Sequence, residues 1–198
     1  MANSGITFVT TKRTDPRLLA RMAIHYSQPK GFVGRNICYA IYYNSIYYGH
    51  IVFGSATKHL KNRHKFLGTS DRDLGAICNN LFYNISKVDG KYPKRNFTSL
   101  VLSEAMKQVQ KDWIIKYKTV LKGFETLVEK PRTGELYLKA GYSIVGETVG
   151  FTCKRTSGKS TDGWSGKRVW NTDPNTLRPK TIFCKKVNFQ ENINAFTS

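Results

Sequence analysis

Residues 124–155, FETLVEKPRTGELYLKAGYSIVGETVGFTCKR, constrain the fold more than any other part of the chain. Positions 124–128 alternate apolar and polar like a short buried strand, and Pro131 and Gly134 punctuate the loop that follows. Residues 135–140 have the composition of one or two helical turns, and Gly141 supplies the left-handed stop that ends them. Residues 142–153 alternate again, as a final strand does. A strand, a loop bearing Glu129, a short helix, a glycine and a second strand have to lie against a sheet that the preceding residues build.

The chain has room for that sheet. At 198 residues with 40% hydrophobic content it forms one domain with a proper core. Residues 1–155 read as the catalytic body, and residues 156–198 as a basic loop, a last strand at 179–187 and a tail of the same domain. Lys and Arg number 32 against 13 acids, a net charge of +19, and that imbalance points to a polyanionic partner. Cys38, Cys78, Cys153 and Cys184 have no CxxC spacing, which argues for reduced, buried thiols rather than a zinc ribbon. No window approaches 18 uninterrupted apolar residues, so no membrane partner and a cytoplasmic location are expected.

In chain order, residues 6–10 read as a first strand, and Asp15-Pro16 as the cap and first turn of a helix over 16–27. That helix carries Leu18, Leu19, Met22 and Tyr26 on one stripe and ends at His25-Tyr26 before Pro29. Residues 37–55 read as two strands around Asn44-Ser45. Their tyrosines at 39, 42, 43, 47 and 48 suit either a sheet core or a base-stacking platform. Residues 58–72 carry five Lys or Arg with His59 and His64 and read as a solvated basic loop suited to phosphate contacts. Residues 76–85 read as a strand bearing Asn79-Asn80; asparagine can pair with adenine in a bidentate way, and since neighbours on a strand face opposite sides, at most one of the two does so. Residues 97–102 lead into a helix capped by Ser103 and running to about residue 118, with Met106, Val109, Trp113 and Tyr117 on one face. Beyond Arg155 a Gly-, Ser- and Lys-rich segment with Trp164 and Trp170 reads as a mobile basic loop.

The order of elements in 124–155 resembles the second half of a GNAT-type acyltransferase. The ordered run of Glu129, Thr133-Gly134, Tyr137, Ala140 and Val145-Gly146-x-Thr148-x-Gly150, with His25-Tyr26 upstream, is similar to the phage Mom family. The same block also resembles DruA-like anti-phage proteins, whose chains are longer. The resemblance implies a GNAT-like α/β (α+β) fold, a mixed central sheet flanked by helices. For Mom it implies conversion of adenine in DNA to N6-carbamoylmethyladenine, which protects phage DNA from host restriction. The alternative it implies is a nucleic-acid-binding defence component that leaves adenine unaltered. It carries over His25, Tyr26, Glu129 and Tyr137 as catalytic residues and as ligands of an iron ion. Glu129 stands where relatives have aspartate. An ordinary GNAT enzyme has an R/Q-x-x-G-x-G/A turn for the pyrophosphate of acetyl-coenzyme A, whereas residues 95–103 here contain no glycine, which argues against that donor.

The product sets a further demand. A carbamoylmethyl group brings one nitrogen that acetyl cannot supply, so a glycyl ester, with glycyl-tRNA as the hypothesised carrier, is the expected donor. Double-stranded DNA, with tRNA as a second polyanion, is then the expected partner. The candidate nucleic-acid contacts are Lys58, Lys61, Arg63, Lys65, Asn80, Arg95, Lys154, Arg155, Lys167 and Arg168.

Overall fold

The computed structural model describes residues 5–150, 152–155, 168–171, 173 and 177–187. A seven-stranded sheet runs in the order β1-β2-β3-β4-β5-β9-β6. Its strands are β1 (Ile6–Thr11), β2 (Asn36–Tyr43), β3 (Ile46–Ser55), β4 (Ile77–Ile85), β5 (Gly123–Glu129), β6 (Ser143–Glu147) and β9 (Lys180–Lys186). A separate ribbon pairs β7 (Thr152–Arg155) with β8 (Arg168–Asn171). Every pairing in the large sheet is antiparallel except β4 with β5.

Alternation along the strands gives the sheet two apolar faces. On one, Phe53, Cys78, Phe124, Val128 and Phe183 meet α3 (Phe97–Tyr117), whose Val101, Leu102, Ala105, Met106, Val109 and Trp113 are all buried. The short α4 (Glu135–Lys139) lies on the same side. On the other, α1 (Pro16–Ile24) sets Leu18 and Met22 against Val52 and Phe82. Beside it, Leu60 and Leu67, flanking and ending α2 (Lys61–Leu67), meet Ile77, Ile182 and Cys184.

The parallel pair forms the site. β4 and β5 bond only over Ile77–Asn79 against Gly123–Glu125, and then diverge. An irregularity against β3 drives the split: Phe53 pairs with Asn80 and Val52 with Phe82, so Leu81 is an extra residue that bends β4 away. β5 meanwhile continues in register with β9 as far as Glu129 opposite Lys180.

Several expected boundaries move. Helix α1 stops at Ile24 because His25 is already extended, at φ −74° and ψ 143°. The stretch read as a basic loop contains α2 and a 3₁₀ turn at Asp71–Ala76, since Leu60, Phe66 and Leu67 bury against the sheet. Helix α3 begins at Phe97, six residues before Ser103, because burial of Phe97, Ser99 and Val101 outweighs the modest helix propensity of Thr98-Ser99. The expected final strand over 142–153 is two strands in different sheets, β6 and β7. Gly141, at φ +85°, ends α4 as the sequence predicts. The loop expected beyond Arg155 falls largely outside the described residues. Cys38, Cys78 and Cys184 are buried free thiols.

Candidate active site

Where β4 and β5 part, a cleft of about 680 Å³ opens, and four sequence elements supply most of its lining, with Thr57 and Lys180 at its edge. The end of α1 brings His25 and Tyr26; β4 brings Asn79 to Tyr83; β5 brings Thr126 to Glu129; the loop into α4 brings Arg132 to Tyr137. The four residues singled out by sequence therefore share one cavity, although about a hundred positions separate the first pair from the second. Gly134 permits this arrangement: at φ +67° it turns the chain into α4, and a Cβ there would lie 2.4 Å from the Phe183 ring.

His25 is half-buried, its ring 4.2 Å from Tyr26 and 4.8 Å from Phe82 between centroids. Its Nδ1 accepts from the Ser27 amide at 3.3 Å and lies 2.8 Å from the Ser27 hydroxyl, which assigns the proton of the neutral ring to Nε2. Burial, with the nearby Arg132 cation, lowers its pKa below the usual 6.5, so the ring is neutral at pH 7. Tyr26 is 44% exposed and carries the Arg132 guanidinium 3.5 Å above its ring centre. Burial raises the Tyr26 pKa, Arg132 opposes that rise and Glu129 adds to it. Tyr137 donates its hydroxyl to Asn80 Oδ1 at 3.0 Å, and burial raises its pKa well above the phenolic norm. It stays protonated, a state that can give a proton but not take one. Glu129 lies on the rim with its side chain 24% exposed, and its carboxylate is 3.8 Å from Arg178.

Beneath this cleft is a second carboxylate that sequence reading missed. Glu125 is fully buried and accepts from Arg63 at 2.7 Å, the Thr57 amide at 2.6 Å and Asn79 Nδ2 at 3.1 Å. Arg63 is also fully buried, which corrects its assignment as a phosphate contact. Asn80 is corrected as well, being buried with its carbonyl oxygen engaged by Tyr137 rather than presented to a base. Of the five tyrosines read as sheet core or stacking platform, Tyr39 and Tyr48 are core, and the Tyr47 ring lies under Arg17 and Arg21 of α1. Lys58 and Lys65 are exposed, and Arg95 is exposed beside the start of α3. Lys154 and Arg155 lie on β7 and Arg168 on β8; Lys167 is outside the described residues, as is the Lys61 side chain. No signal in the sequence marks Arg132 as the partner of Tyr26.

The expected iron finds no support in the structure. Among the described residues no three His, Cys, Asp or Glu side chains are grouped to hold an ion. In this structure the Arg132 guanidinium stacks on the Tyr26 ring and the Tyr137 hydroxyl bonds to Asn80 Oδ1.

No known protein family profile and no curated protein sequence matches this chain. Solved structures do. A GNAT family acetyltransferase from Elizabethkingia anophelis with acetyl-CoA bound superposes with a TM-score of 0.52 at 12% identity, over 93% of this chain and 100% of that one. An acetyltransferase from Bacillus subtilis in complex with CoA gives 0.53 at 12% identity, over 92% and 99%. The chain has the GNAT fold, a mixed α/β arrangement with a seven-stranded, mostly antiparallel sheet between helices. Among the described residues no helix is long and apolar enough to cross a membrane.

Proposed function

We propose that this protein is an acyltransferase acting on the exocyclic amine of adenine in DNA, yielding N6-carbamoylmethyladenine. The observation that carries this reading is the meeting of His25, Tyr26, Glu129 and Tyr137 in one cleft at the divergence of β4 and β5. The net charge of +19 supports a polyanionic acceptor. Adenine N6 is conjugated with the purine and weakly nucleophilic, so a base must take its proton; Glu129 on the rim is that base. Tyr137, held protonated by burial, supplies a proton to the departing oxygen of the donor ester. The exposed ring of Tyr26 gives a flipped purine a surface to stack on once Arg132 moves aside.

A glycyl ester balances the product. Attack by N6 on the ester carbonyl expels the carrier hydroxyl and forms an amide. The freed glycyl amine then attacks C6 and expels the original nitrogen, which becomes the terminal carboxamide. Glycyl-tRNA is the carrier this reading favours.

A second reading has an observation of its own. A smaller cleft of about 360 Å³, with Lys94, Arg95 and the first turn of α3 on its walls, shares Glu135 and Leu136 with the main cleft. That arrangement suits the phosphates of an acyl-coenzyme A, the ligand class named for both structural relatives.

Mass spectrometry of nucleosides from plasmid DNA of cells expressing the chain separates these readings. The expected product is a deoxyadenosine heavier by a carbamoylmethyl group, lost in Tyr137→Phe and Glu129→Gln. An acetyl adduct instead selects the coenzyme A donor. Unaltered adenine beside folded protein refutes the modification reading and leaves a DruA-like binder.

A further inference from the structure

The Gly146-x-Thr148-x-Gly150 run contributes nothing to the four-residue site, yet it has a definite structural task. Gly146, at φ +155°, lets Asn62 of α2 close on β6, since a Cβ there would meet Asn62 Nδ2 at 2.4 Å. Thr148 donates its amide to the Lys180 carbonyl at 2.9 Å and takes the Lys180 amide on its hydroxyl at 3.0 Å. Gly150, at φ +87°, packs on the 178–179 backbone, where a Cβ would lie 2.4 Å from the Arg178 carbonyl carbon. Together these contacts shape a second open cleft of about 830 Å³ on the α2 face, whose walls carry Lys58, His59, Arg178 and Lys180. Two carboxylates also line it, and each has a cation: Glu147 has Lys130 at 2.8 Å, and Glu129 has Arg178 at 3.8 Å. Thr57, Glu129 and Lys180 line this cleft and the catalytic one alike, so the two adjoin across the candidate base.

We infer that this second cleft holds the sugar–phosphate backbone flanking the acceptor base, as a single strand. The inference rests on the reading of the acceptor as DNA and adds where its backbone lies. A base flipped into the catalytic cleft leaves its own phosphates outside, one nucleotide from the reacting nitrogen. The adjoining cavity is nucleotide-sized rather than duplex-sized, and lysine and arginine on its walls meet phosphate oxygens without reading sequence.

The test is binding of a labelled single strand of about 12 nucleotides at about 150 mM salt. Wild type is compared with Lys58→Glu/Arg178→Glu and with Lys12→Glu/Lys107→Glu, a pair of exposed lysines remote from the cleft that makes the same change in net charge. The expected result is about tenfold weaker binding for the cleft pair and little change for the remote pair. Photocrosslinks from 5-iodouracil should fall on the peptides holding residues 58–62, 148–150 or 178–180. Equal losses in both pairs, or crosslinks confined to other peptides, overturn the inference. The readout needs no turnover, so the two ideas fail separately. Unaltered adenine with cleft-dependent binding sinks the chemistry alone, whereas modified adenine with crosslinks elsewhere sinks the cleft alone.

Discussion

Two glutamates four residues apart on β5 point to the same face of the sheet, and each has an arginine beside it. Glu125 and Arg63 are both fully buried, 2.7 Å apart, with Thr57 and Asn79 completing the carboxylate's shell. Glu129 and Arg178 are 3.8 Å apart with side chains 24% and 69% exposed. The difference is set by the sheet. Glu125 is the last β5 residue still in register with β4, whereas Glu129 lies where the strands have separated. The same residue type is thus an internal brace at one position and a solvent-facing acid at the other. A charged pair at full burial is tolerated when nearly all of its groups are paired, as here with Arg63 Nε alone of the guanidinium nitrogens left over, while an exposed one is left available for chemistry.

The comparison breaks most visibly at the buried pair. Arg63→Ala leaves Glu125 in the interior without its cation, at a cost of about 3 to 5 kcal/mol. Urea denaturation should show that loss, and Arg63→Met combined with Glu125→Leu should recover much of it. A single-variant cost below about 1 kcal/mol would mean that water reaches the pair.

Two histidines repeat the contrast and give the next largest effect. His50 is fully buried and its pKa is lowered to about 4 by burial, against weaker opposition from Asp15 4.0 Å away. Its folded-state pKa lies below the ordinary 6.5, so between those values the unfolded chain binds the extra proton. Stability is then full above 6.5 and falls as the pH drops toward 4, by about 3 kcal/mol at most. Denaturation at pH 7 and pH 4.5 should show the slope, and His50→Gln should flatten it. His25, half-buried beside Arg132, is also lowered, but its titration should appear in the acid limb of the rate profile, below pH 6.5.

The halves of this contrast differ in how far sequence exposes them. The block from Phe124 to Gly141 is legible because its punctuation is local: alternation, proline, glycine and a short helical run each act within a few residues. Sequence resemblance also named His25, Tyr26, Glu129 and Tyr137, and they share a cavity. Their surroundings were not legible. The partner of Arg63 is 62 residues away, and a run of five basic residues reads as solvated whichever member turns inward. Helix α2 has seven residues and no side-chain cap bond, so its packing on Ile77 and Ile182 decides it. The iron expectation went unsupported at a similar point, and residue types suited to ligation say nothing of Arg132 over Tyr26.

Tyr137 stands between the two extremes. Tyr137→Phe removes the donor to Asn80 Oδ1 and leaves that buried oxygen unpaired, so a loss of about 1 to 2 kcal/mol is expected. Modification of adenine should fall much further, by about 10²-fold or more, if the hydroxyl delivers a proton. A variant that loses stability yet keeps its rate would place Tyr137 with the braces rather than the chemistry.

The smallest effect is expected where the contrast is sharpest. Arg178→Ala removes a side chain 69% exposed at 3.8 Å from its carboxylate, a geometry worth less than about 0.5 kcal/mol. Its unfolding midpoint in urea should overlay that of the wild type. Salt provides the complementary measurement, because an exposed arginine that meets a phosphate releases one counterion. The slope of log affinity for a DNA strand against log salt should therefore shrink by about 0.7 in the variant. An unfolding midpoint that drops as in Arg63→Ala would make Arg178 a second brace, and the two pairs on β5 would then differ in depth but not in kind.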